Sequence, residues 1–222
     1  MIKEIFHGSK DIIEKPIFGY GKKTNDYGLG FYCTEQIDLA FEWAVDIDRD
    51  GFVNVYKIDT NDLKILYLDD YSVLHWLAIL LENRTFTITS PLAIEAKEYL
   101  LKYFSINYRD YDIIVGYRAD DSYFAFAQDF ISGAISYQQL AKAMKLGNLG
   151  KQMVLISEKA FSKISFERCE VAKSAIFYSK KKNRDNNARQ DYFDTRKNKR
   201  NKDDLYINQI IDGEIKPNDP RL

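Results

Sequence analysis

The stretch Gly28-Leu29-Gly30-Phe31-Tyr32-Cys33-Thr34 constrains this chain more than any other. Its two glycines let the backbone pass a ligand in conformations a Cβ forbids, and they lead into a short apolar and aromatic run that reads as a buried strand. Beyond it Ile37, Ala40, Phe41 and Ala44 recur at helical spacing, with Thr34 as the expected N-cap. Tyr32 therefore ends a strand and Trp43 lies on the helix that follows. Such a turn presents two flat rings on which a flat, partly charged ligand can stack, although rings in these positions also serve as core.

The start of the chain supplies a second element. Residues 2–6 read as a short strand running into His7-Gly8-Ser9, which holds one of the two histidines. A neutral imidazole donates from one nitrogen and accepts at the other, so it can grip a ribose hydroxyl. The adjacent glycine leaves its N–H and C=O open to a planar amide.

Together these pieces resemble the ADP-ribosyltransferase superfamily, whose diphtheria-toxin and poly-ADP-ribose-polymerase branch is marked by a His-Tyr-Glu triad. More narrowly, the first 45 residues and Gly116-Tyr117-Arg118-Ala119-Asp120-Asp121-Ser122-Tyr123 are similar to an uncharacterised bacterial family, the DUF3990 group. The resemblance spans roughly residues 3–160.

The resemblance implies an α+β fold with two small, angled β-sheets, flanking helices and an NAD cleft between them. His7 would hold a ribose 2′-hydroxyl of NAD, Gly8 would clamp the nicotinamide carboxamide, and Ser9 and Gly30 would border the same ligand. Tyr32 and Trp43 would sandwich the nicotinamide ring. The triad carboxylate is missing, because Gln152 stands where the family has its glutamate. Glutamine can orient the ribose but cannot neutralise the positive charge that grows at C1′ as nicotinamide leaves. A substitute carboxylate is expected from Asp120 or Asp121, after a strand predicted at residues 111–117. Asp120, Asp121 and Asn148 are the candidate acceptor contacts, and no metal is implied.

Composition narrows the setting. A chain of 222 residues, 45% hydrophobic, can build a full core without disulfides. A net charge of −1 points to no polyanionic partner overall, and two cysteines make no disulfide framework. Cys33 is expected as a small buried apolar residue. No run of 18 apolar residues and no signal peptide is apparent, so a soluble cytoplasmic protein without membrane contact is expected.

Elsewhere the pattern reads as scaffold. Residues 52–58 alternate as a half-buried strand, residues 71–81 and 92–104 as helices, the second opened by Ser90-Pro91, and Ser136 to Gln139 as a capping box. His75 is read as structural. Lys22 and Lys23, on a glycine-punctuated loop, are candidates to meet the pyrophosphate of NAD. Residues 1–179 are expected to form the domain and residues 180–222 a basic polar segment with a docking helix or tail. Lys and Arg outnumber Asp and Glu between 180 and 203, so that segment is also a candidate for nucleic acid or acidic protein.

The function expected is transfer of ADP-ribose from NAD to a protein or nucleic-acid acceptor, in a toxin of a toxin-antitoxin or phage-defence system with an antitoxin protein as partner. The alternatives are a non-catalytic NAD or ADP-ribose binding module and an NAD glycohydrolase.

Overall fold

A computed structural model describes residues 1–119, 121–145, 150–197 and 203–222. It is an α+β structure of two small open sheets and, among the described residues, eight α-helices. The first sheet has the order β1 (Ile2–Ser9), β3 (Gly51–Asp59), β7 (Ile164–Ala172), all antiparallel. The second has the order β2 (Phe31–Cys33), β6 (Lys151–Leu155), β5 (Ile113–Tyr117), β4 (Ile65–Tyr67), with only β4 and β5 parallel.

The period of two along a strand assigns each residue to a face. Phe31 and Cys33 of β2 and Met153 and Leu155 of β6 turn toward the first sheet, where they meet Ile5, Tyr56 and Ile58 in a buried apolar layer. Each such side chain contributes about 1.5–3 kcal/mol by leaving water. The alternate residues, Val154 and Ile114 among them, face a larger core built with α2 (Val73–Asn83), α3 (Pro91–Tyr103), α4 (Asp121–Ile131) and α5 (Tyr137–Ala143). Tyr32 pairs with Val154, and Gln152 stands two residues from it, so Tyr32 and Gln152 share this second face.

Helix starts follow local chemistry. Ser90 accepts from the Ala93 N–H at 3.1 Å ahead of Pro91, and Ser136 with Gln139 closes the reciprocal capping box. α1 (Ile37–Ala44) departs from expectation, since its N-cap is Gln36, not Thr34. Thr34 instead accepts from the Gln36 N–H at 3.1 Å, because its backbone is already engaged with Phe6.

Beyond β7 the expected division at 179/180 falls inside one helix, α7 (Ser174–Lys197). That helix packs on α1, α4 and α5, while α8 (Ile207–Asp212) packs on α3 through a C-terminal stretch whose Ile207, Ile210 and Ile215 are buried. No helix among the described residues is long and apolar enough to cross a membrane.

A cavity at the seam of the two sheets

The two sheets are joined by a backbone bridge. Phe6 N–H donates to the Thr34 carbonyl at 2.8 Å and Thr34 N–H returns the bond to Phe6 at 2.9 Å. This fixes β1 beside the end of β2, so His7 and Tyr32 become neighbours although far apart in sequence. The His7 Nδ1 lies 2.7 Å from the Tyr32 carbonyl. A carbonyl only accepts, so Nδ1 carries the proton, and in the neutral ring Nε2 is left as an acceptor. Burial holds the imidazole pKa below its ordinary value, outweighing the opposite pull of that hydrogen bond.

Next to this seam lies a cavity of about 740 Å³, within the size range of small-molecule sites. His7, Gly8, Gly30, Tyr32, Trp43 and Gln152 all line it, brought there from β1, β2, α1 and β6. Each has a local reason for its position. Tyr32 donates its hydroxyl proton to the Gly28 carbonyl at 2.7 Å and accepts from the Tyr27 N–H at 3.1 Å, so its ring is pinned across the glycine turn. Burial pushes the phenol pKa well up, and the hydroxyl remains a neutral donor. Gly28 has φ +72°, the left-handed region that favours glycine.

Gly8 serves packing. A Cβ there would lie 2.0 Å from the Ala40 carbonyl oxygen and 2.8 Å from the Ala44 nitrogen, both backbone of α1. The close approach brings α1, and with it Trp43, down onto β1. Trp43 has a partner on one face already, as the Arg118 guanidinium carbon lies 4.9 Å from the ring centroid.

Gln152 is buried in this wall. Its Nε2 donates to Asp26 Oδ2 at 2.9 Å and to the Tyr117 carbonyl at 3.2 Å. Both partners only accept, which orients the amide and leaves Oε1 as the atom it can offer to a ligand. Asp26, itself 5% exposed, also accepts from the Ala119 N–H at 2.8 Å and from Arg84 Nη1 at 2.8 Å, so the carboxylate is held rigidly beside Gln152 on the cavity wall.

Asp26 is the acidic group that sequence reasoning missed, and its only signal was a carboxylate directly preceding Tyr27 at the end of a glycine-punctuated loop. Arg84, Arg118, Lys181, Lys182 and the buried ion pair of Glu42 with Arg184 were missed as well, although all line the cavity. Other expected residues stand elsewhere. Ser9 does not line the cavity, because its hydroxyl accepts from the buried Asn54 Nδ2 at 3.0 Å, part of a hub that also binds the Asp11 carbonyl and the Ile13 N–H. Lys22 and Lys23 are exposed and off the cavity. Asp120 and Asn148 lie outside the described residues, and Asp121 begins α4. His75 is buried with Nδ1 2.7 Å from the Phe104 carbonyl, a structural contact, and Cys33 is fully buried.

No curated protein and no solved structure matches the chain. Residues 3–166, which carry β1, β2, α1 and β6 and so most of the cavity wall, match the family described as "Protein of unknown function (DUF3990)", and the chain belongs to that family.

Proposed function

We propose that this protein is an ADP-ribosyltransferase of the His-Tyr-Glu type that transfers ADP-ribose from NAD to a protein or nucleic-acid acceptor, with the fold of that superfamily. The observation that carries this reading is the convergence of His7, Tyr32, Trp43 and Gln152, from four separate elements, on one cavity. In it His7 Nε2 accepts from a ribose hydroxyl, while Tyr32 and Trp43 flank the nicotinamide ring. Gln152 Oε1 accepts from the hydroxyls of the adjoining ribose and sets the sugar's orientation.

The charge deficit at Gln152 has a remedy in this arrangement. Negative charge aimed at C1′ stabilises the departure of nicotinamide if it is in place before the reaction. Asp26, in direct hydrogen-bond contact with Gln152, is the carboxylate that supplies it. The Arg84 contact neutralises part of that charge and favours slow turnover. The same pairing gives weight to a second reading, an NAD or ADP-ribose binding module without turnover.

Incubation of the full chain with NAD labelled separately in its nicotinamide and adenine halves tests the proposal. Release of nicotinamide with adenine label on a macromolecular acceptor supports transfer, and release with label only on free ADP-ribose supports hydrolysis. Saturable binding without release supports the module, and absence of binding rejects the NAD site.

A further inference from the structure

The acidic groups on the cavity wall are all paired, and three of its cations are not. Asp26 pairs with Arg84 at 2.8 Å, Glu42 with Arg184 at 2.9 Å, and Asp185 with Arg189 at 3.1 Å. Arg118, Lys181 and Lys182 line the same cavity, and among the described residues none of them makes an ion pair. Arg118 lies on the Trp43 ring, Lys181 Nζ donates to the Val45 carbonyl at 3.1 Å, and Lys182 sits 5.7 Å from the Tyr178 ring centroid.

Unpaired cations gathered on a concave, partly desolvated wall repel one another and focus a positive field that an anion relieves. Lys181 registers this crowding, since its ammonium is held below the ordinary lysine pKa first by burial and then by Arg118. The chemistry also suits phosphate. A guanidinium carries five N–H donors in a fork that matches phosphate oxygens, Arg118 makes no ion pair among the described residues that would occupy them, and lysines bind phosphate as point charges. Two of the three cations come from α7, which starts at Ser174, after the family match has ended at residue 166.

We propose that Arg118, Lys181 and Lys182 form a diphosphate subsite, so that α7 closes the cavity with the wall that holds the two bridging phosphates of a dinucleotide. The proposal rests on the NAD reading for the rest of the ligand. The volume of about 740 Å³ suits a small diphosphate, whereas a polynucleotide backbone would follow an extended basic groove.

Calorimetric titration of the full chain and of the Lys181→Gln/Lys182→Gln variant with NAD, ADP-ribose, ADP, inorganic pyrophosphate, nicotinamide riboside and a single-stranded oligonucleotide tests it. The variant is expected to bind ADP-ribose at least about 10-fold more weakly, and salt should weaken its binding less steeply than that of the parent. Nicotinamide riboside, which has no phosphate, should change less than about twofold. Undiminished ADP-ribose affinity, or an equal loss for the riboside, overturns the subsite. Should circular dichroism show the double variant misfolded, Lys182→Glu on the exposed face of α7 carries the same expectations. If the parent binds pyrophosphate and ADP but neither NAD nor the riboside, the NAD reading fails and the subsite stands. If it binds none of the diphosphates, or binds only a single-stranded oligonucleotide, the subsite fails.

Discussion

Gln152 donates from Nε2 to Asp26 Oδ2 at 2.9 Å, joining two buried polar side chains on one wall of the cavity. The bond explains why an amide, not a carboxylate, occupies position 152. A glutamate there would set its negative oxygens against Asp26 and the Tyr117 carbonyl, with no donor left between them.

Gln152→Glu is therefore expected to destabilise the fold by about 3 kcal/mol at pH 7 rather than to restore a triad. The new carboxyl could satisfy Asp26 only while protonated, which raises its folded pKa above its unfolded value. The native state then holds the extra proton, so stability falls as pH rises from about 4.3. Thermal melts at pH 5 and pH 7 check this, and a variant equally stable at both would contradict the orientation assigned to the amide.

Asp26→Asn leaves Arg84 without its anion and turns an amide N–H₂ either toward Arg84 Nη1 or toward both the Ala119 N–H and Gln152 Nε2, all of them donors. The expected loss is about 3–5 kcal/mol of stability, read as a lower urea midpoint. An unchanged midpoint would show that the Asp26 network contributes nothing to the fold.

His7 binds a hydroxyl through Nε2 only while neutral. Its pKa is depressed by burial, so ligand affinity should hold from pH 8 down past the ordinary histidine value of about 6.5 and decline only below it. Stability follows the same direction. The unfolded chain protonates first, and the contribution present above about pH 6.5 is lost as pH falls through the folded pKa, with the similarly depressed His75 adding to the effect. Titration of NAD across this range checks the first part, with a midpoint above 6.5 counting against it. His7→Ala should weaken NAD binding by about 1–3 kcal/mol.

Gly8→Ala would force its Cβ against the backbone of α1, which cannot yield as a side chain tip can. A cost of about 3 kcal/mol is expected, together with weaker NAD binding as α1 lifts and carries Trp43 away. Normal stability and affinity in this variant would mean that α1 is free to shift.

Glu42→Gln removes the charge from a two-pronged contact with Arg184, in which Nε and Nη2 each approach a carboxylate oxygen at 2.9 Å. The carboxylate is 4% exposed, so the loss should reach about 3 kcal/mol and loosen α7 first. Hydrogen exchange resolved along the chain should show faster exchange within 174–197, whereas uniform change throughout would place the effect in the core.

Much of the framework was legible because it follows from near neighbours in sequence. The alternation at residues 52–58 gave β3, Ser90-Pro91 gave the start of α3, and the Ser136 capping box gave α5. The candidate site residues His7, Tyr32 and Trp43 stood out through the resemblance of their motifs to a known superfamily, since rings at such turns serve equally as core. Local reading failed where backbone already engaged across the sheets displaced a cap, as at Thr34, and where one helix ran through a change in composition, as α7 does across residue 180.

What sequence alone determined, then, was the placing of β1, β2, α1, β3, α2, α3, β5 and α5, since these arise from periodicity and from caps a few residues away. Only the tertiary structure decided which polar groups meet. Asp26 reaches Gln152, Arg118 reaches Trp43, and Arg184 reaches Glu42 because hydrophobic burial and the Phe6–Thr34 seam bring distant segments together. Burial is non-directional, so no pattern along the chain names its partners in advance.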